Sequence, residues 1–166
     1  MRKICLIFTL LTGLLFWGCN IYTFSNSALP SHLKTIDIPL FQNNSLEPNI
    51  ADEITQELSK QVTNKGQIKI ASGRGDATIS GSITKYENVP YSYDASKARE
   101  VNVERYIVKI SSEVEFRDNV KNNELYKGVV TGEGIYDPKI EEEKVGKEKA
   151  VKDIVTRILE NSIQSW

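Results

Sequence analysis

Beyond position 19 the chain has no cysteine, and the two it does have are Cys5 and Cys19. The body therefore carries no disulfide and no thiolate chemistry. Histidine is nearly absent, with His32 the sole example. One imidazole and no thiol exclude a His/Cys metal site. No glycine loop of the phosphate-cradling kind appears. Nor is there a nucleophile beside a base, as a hydrolase or transferase needs. No catalytic residue, metal or cofactor is expected, and the protein does not read as an enzyme. An excess of either charge is lacking too: 21 Lys+Arg face 22 Asp+Glu. Nucleic acid needs a concentrated basic surface and is not an expected partner. There is no internal repeat and no low-complexity linker. One long apolar run is present, at the N-terminus.

That run has the form of an export signal. Met1, Arg2 and Lys3 make a short positive start, and residues 4–17 are apolar except for Thr9, Thr12 and Gly13. Gly18 and Cys19 follow, and the composition then turns polar. A charged start, a short apolar run and a small residue describe a secretory signal. A spanning helix needs roughly 20 apolar residues, more than this run supplies. A cysteine directly after a signal is the acceptor position of a bacterial lipoprotein. In Leu15-Phe16-Trp17-Gly18-Cys19 the glycine fits, while Phe16 and Trp17 are bulkier than the small residues usual there. The expected organisation is a signal over 1–18, a lipidated Cys19 with an extended tether through 32, and one domain over 33–166. Cleavage removes Arg2 and Lys3 and no acid, so the net charge moves from −1 to about −3.

The domain reads as strand, helix, three or so strands, helix. Ile36, Ile38 and Leu40 alternate with Thr35, Asp37 and Pro39, giving a strand over 35–41 whose proline suggests an edge or end. Residues 41–45 read as loop. Ile50, Ile54, Leu58 and Val62 recur every four residues and predict a helix over 49–65, capped by Asn49 and ended by Gly66. Ile68 and Ile70 mark a short strand. Ala77, Ile79, Gly81 and Ile83 alternate with Thr78, Ser80, Ser82 and Thr84 in a second clear one. Residues 86–102 read as an irregular segment. Tyr106, Val108, Ile110, Ser112, Val114 and Phe116 share one face of a long strand, and residues 125–136 form another. Asp137-Pro138 suggests the start of the last helix. Its stripe is Val151, Ile154, Val155, Ile158 and Leu159, and Gly146 is a candidate bend. Two amphipathic helices must bury their stripes, and the sheet offers the partner face. The expected fold is α+β: a two-layer sandwich, a mixed sheet of about four strands with both helices on one face. Ile36, Ile38, Ile54, Leu58, Ile79, Ile154 and Ile158 are expected in its core.

Surface candidates are few. Arg74-Gly75-Asp76 spells an adhesion tripeptide but reads as turn chemistry. Tyr86, Tyr91, Tyr93 and Tyr106 fit a binding surface, since tyrosine is enriched at interfaces, and fit sheet-edge packing as well. Lys97, Arg99 and Arg105 suit an anionic head group, although Asp94, Glu100 and Glu104 among them blunt the field. His32 reads as an exposed loop residue.

The residues also resemble the LptE family of lipopolysaccharide-assembly lipoproteins. The likeness begins at Cys19 and Tyr22-Thr23-Phe24. It continues through Leu29-Pro30-Ser31-His32-Leu33-Lys34-Thr35-Ile36-Asp37-Ile38-Pro39-Leu40-Phe41 and Asn44-Ser45-Leu46-Glu47-Pro48. The first helix, Asp76-Ala77-Thr78-Ile79-Ser80-Gly81-Ser82-Ile83 and the closing helix fit at the level of pattern. The resemblance implies a sheet with two helices on one face, a lipid anchor at Cys19 in the outer membrane, and a partner. That partner is the large outer-membrane β-barrel that inserts lipopolysaccharide, within which family members sit as a plug and can contact lipopolysaccharide. The other reading is a carrier or sensor lipoprotein facing the periplasm, which would hold a small apolar ligand in an internal cavity. With one sheet face taken by helices, the partner must meet the other face, the edges or the loops. Thr78, Ser80, Ser82, Thr84, Arg105, Ile107 and Lys109 on that face make a mostly polar surface, suited to a wet barrel lumen. Tyr91, Tyr93, Lys97, Arg99 and Arg105 are the candidate contacts.

Overall fold

The computed structural model describes residues 29–66, 68–93 and 103–163. In chain order the elements are β1 (Thr35–Asp37), β2 (Gln42–Asn43), α1 (Ile50–Lys65), β3 (Lys69–Ile70), β4 (Ala77–Tyr93), β5 (Val103–Asp118), β6 (Asn123–Tyr136) and α2 (Glu143–Ile163). They form one mixed sheet in the order β3-β1-β4-β5-β6, with β2 also paired to β4. The contacts among β1, β2, β3 and β4 are parallel, and those of β4 with β5 and β5 with β6 are antiparallel.

Six strands stand where about four were expected, because the first segment touches β4 twice and the two-residue β3 joins β1 at the edge. β1 meets Ala77 and Thr78, and β2 meets Ser82 and Ile83. Pro39 lies between them and has no N–H to give a ladder, so the strand breaks there. The break shifts the alternation. Ile36 is fully buried, Ile38 only partly, and Leu40 faces solvent at 61% exposure. Phe41 enters the core instead, its ring over Gly81, where any Cβ would collide with it.

Helix α1 buries Ile50, Ile54, Leu58 and Val62, as their spacing requires. Asn49 precedes it in the left-handed region, at φ 62°, and makes no side-chain cap. Gly66, at φ 64°, ends it by donating its N–H to the Thr63 carbonyl. Helix α2 starts at Glu143, not at Asp137-Pro138. There the Asp137 carboxylate accepts the Lys139 N–H at 2.9 Å, and its carbonyl accepts those of Ile140 and Glu141. A short polar side chain that satisfies its own turn competes with helix growth. Gly146 does not break α2; it is buried against Tyr136 and Val108.

Both helices pack on one sheet face around a single core that includes Ile36, Ile54, Leu58, Ile79, Ile110, Phe116, Ile154 and Ile158. Each such side chain contributes about 1.5–3 kcal/mol when fully buried. Gly132 and Gly134 let α2 lie directly on β6: a Cβ on either would run into Ile154 or the backbone near Ala150.

Candidate partner-binding surface

The segment expected to be irregular from residue 86 is strand as far as Tyr93. The alternation signal fails there because Thr84 is an extra residue. Ile83 faces Ser112 and Lys85 faces Ser111, so the bulge reverses the phase. Before it the odd residues Ala77, Ile79 and Ile83 point to the core. After it the even residues Tyr86 and Asn88 stand beside Ile110 and Val108. The outer face of β4 is thus Thr78, Ser80, Ser82, then Lys85, Glu87 and Val89.

β6 ends at Tyr136, which pairs with Tyr106, whereas β4 and β5 run on as a two-stranded arm. Ser92 lies opposite Arg105 there, and Tyr93 opposite Val103. Tyr91 and Tyr93 are 54% and 55% exposed, and Arg105 is exposed beside them. Three of the candidate contacts therefore share one end of one hairpin. Lys97 and Arg99 fall within 94–102, and Cys19 precedes residue 29; all three lie outside the described residues.

The four tyrosines divide. Tyr86 donates its hydroxyl to Glu143 Oε1 at 2.9 Å. Burial, then the Glu143 carboxylate, pushes that hydroxyl well above the usual phenol range. Tyr106 and Tyr136 stack with ring centroids 5.8 Å apart, and the Tyr136 hydroxyl meets the Asn88 amide at 2.9 Å. Tyr86 and Tyr106 are packing residues, and Tyr91 and Tyr93 are the free ones.

The helix-free face is largely polar. Lys109 pairs with Glu133 at 3.0 Å, Arg117 with Glu115 at 3.0 Å and Lys85 with Glu87 at 2.9 Å. Ser111 and Thr131 hydroxyls meet at 3.0 Å. Such exposed pairs order side chains more than they stabilise the fold. Ile107 departs from expectation: it is on this face, but only 4% exposed. It stands between Val89 and Ile135 on the neighbouring strands, an apolar row across the polar face. An open depression of about 470 Å³ lies farther along, bordered by Ser80, Ser82, Glu113, Glu115, Lys127 and Val129.

His32 is no free loop residue. Its Nε2 lies 2.6 Å from Asp118 Oδ2, and its side chain is 25% exposed. Arg74-Gly75-Asp76 is a turn whose Asp76 carboxylate accepts the Lys34 and Thr35 N–H groups at 2.8 and 2.9 Å. Among the described residues no cluster of three His, Cys, Asp or Glu side chains is placed to hold a metal. Among them, too, no helix is long and apolar enough to cross a membrane.

Solved structures share this fold. Hypothetical protein CT253 from Chlamydia trachomatis is 8% identical, with a TM-score of 0.55 over 78% of this chain and 97% of that one. A PelC dodecamer subunit from Paraburkholderia phytofirmans is 14% identical, with 0.52 over 86% and 95%. Uncharacterized lipoprotein B from Nitrosomonas europaea is 18% identical, with 0.51 over 79% and 81%. At such identities the likeness is one of fold. No curated protein matches the chain in sequence. The lipopolysaccharide-assembly family model matches residues 33–162, from the buried Leu33 through the last turns of α2. The chain belongs to the LptE family of lipopolysaccharide-assembly proteins.

Proposed function

We propose that this chain is an outer-membrane lipoprotein, anchored through acylated Cys19, that partners and plugs the β-barrel translocon inserting lipopolysaccharide. Residues 1–18 serve as its signal and 19–32 as its tether, whose last residue, His32, is held to the domain through Asp118. The observation that carries this reading is the helix-free sheet face leading into the arm that bears Tyr91, Tyr93 and Arg105. Exposed tyrosine and arginine are the residues most often found at the energetic centre of interfaces. A polar face of paired charges suits a wet lumen better than lipid. Arg105, with Lys97 and Arg99, offers cations to the phosphates of lipopolysaccharide. The core is continuous, and the depressions beside Ser80 and between the helices are open at the surface. That favours a plug over a carrier with an enclosed apolar cavity.

The test is affinity purification of the full-length chain from detergent-solubilised envelope, with identification of what accompanies it. A large outer-membrane barrel should be recovered. Tyr91→Ala with Tyr93→Ala, Arg105→Glu, and Lys97→Glu with Arg99→Glu should each reduce its recovery about tenfold or more, a loss typical of interface centres. Their melting temperatures should stay near that of the parent. Asp52→Lys and Lys65→Glu, on exposed positions of α1, should retain the barrel. Recovery without any barrel, or equal losses from the α1 variants, would overturn this assignment.

A further inference from the structure

β6 is the last strand of the sheet, and its outer edge is closed along only half its length. Near its end, α2 supplies the missing partners. The Asp153 carboxylate accepts the Glu133 N–H at 2.8 Å, and Lys149 Nζ donates to the Ile135 carbonyl at 3.0 Å. In an antiparallel strand the N–H and C=O of one residue point the same way and alternate along the chain. Thr131, Val129 and Lys127 therefore present theirs to the same edge as Glu133 and Ile135. Among the described residues, none meets the edge groups of these three. Val129 is also 65% exposed, the most exposed apolar residue of the sheet. Lys127 beside it is exposed, its one ion pair to Glu115 a long 3.7 Å.

We propose that the open half of β6, Lys127 to Thr131, receives an extended strand from a partner polypeptide. A row of alternating backbone donors and acceptors is matched by another backbone, and by no small ligand or lipid. The side chains bordering it fix the rest: an apolar residue against Val129 and an acid beside Lys127. A second copy of this chain fits poorly. Paired antiparallel about Val129, its 14-residue β6 would run its first residues alongside Glu133 and Ile135, whose edge groups Asp153 and Lys149 already occupy. A short incoming strand meets no such obstacle.

The test uses the full-length chain in its native envelope. The first measurement is hydrogen exchange at the Lys127, Val129 and Thr131 amides, in the free protein and in the purified complex. Protection rising about tenfold or more on complex formation is expected, since each amide gains a ladder hydrogen bond. The second is a photo-cross-linking residue at position 129, with and without Thr131→Pro as the edge-blocking change. Proline on an outward-facing edge position removes a donor that the sheet itself does not use. Lys127→Pro serves as an independent block that leaves position 129 to the cross-linker, since the Lys127 N–H faces the same open edge. Cross-linking to a partner polypeptide, lost in the proline variants while the melting temperature holds, supports the pairing. Unprotected amides in a complex that does contain the barrel overturn the strand pairing and leave the barrel partnership standing. Protection by a polypeptide other than the barrel does the reverse. Cross-links to a second copy, or to the chain's own N-terminal segment, overturn the proposal, and exchange decides it even where a proline variant fails to fold.

Discussion

Asp118 is 1% exposed, and its carboxylate takes the Val120 and Lys121 N–H groups at 2.9 Å as well as His32. Burial alone would push its carboxyl up; the bonds from Lys121, His32 and Val120 outweigh that and hold it below the usual carboxylate range. A carboxyl lowered on folding contributes stability above its unfolded value of about 3.9, and that contribution is lost as pH falls through the folded value. Asp118→Asn should therefore lower the melting temperature at pH 7, and the gap to the parent should close in acid, as pH falls below the ordinary carboxylate range. A gap independent of pH would show that the carboxylate's charge is not what matters. Lys147 is the second residue of this kind, with Glu47 at 3.1 Å and Glu53 at 3.0 Å while only 18% exposed. Burial lowers its pKa and the two carboxylates raise it further than that, so its stabilisation persists until the pH climbs past the ordinary lysine range. Lys147→Met should cost about 1 kcal/mol in urea titration at low salt and less at 1 M salt.

At the scale of elements, the helices were legible and the strand ends were not. A stripe such as Ile50, Ile54, Leu58 and Val62 is set by the 3.6-residue repeat and needs nothing from the rest of the chain. The continuation of β4 past Thr84 hides behind a single inserted residue, which reverses the alternation that reveals a strand. For the same reason Tyr86 and Tyr91 look alike in sequence, yet one packs against α2 and the other is free. Gly132 and Gly134 carry no apolar side chain to mark them in sequence, yet they are where α2 touches the sheet. Gly132→Ala and Gly134→Ala should each destabilise by about 1–3 kcal/mol, measured by chemical denaturation, because backbone rather than a movable side chain stands in the way. Ile54→Ala and Ile154→Ala should cost about 2–5 kcal/mol each, one on either helix of the shared core.

For the whole molecule, the anchor and the domain are expected to be separable. Cys19→Ser should release the protein from membranes in fractionation while its melting temperature is unchanged, since no core residue is altered. A variant still in the membrane pellet would point to an uncleaved signal helix or to retention by the partner. Composition and periodicity by themselves determined a body without cysteine, two helices with one buried stripe each, and a sheet to receive them. They did so because burial of apolar surface acts locally, through spacing along the chain. Which side chains are left over was decided by tertiary structure alone. The bulge at Thr84, the break at Pro39 and the close seat of α2 on Gly132 and Gly134 all depend on partners distant in sequence. So do the arm that exposes Tyr91, Tyr93 and Arg105 and the half-open edge at Val129. Each is a matter of where one strand ends relative to its neighbour, and that register is fixed by pairing between segments, which no single stretch of sequence encodes.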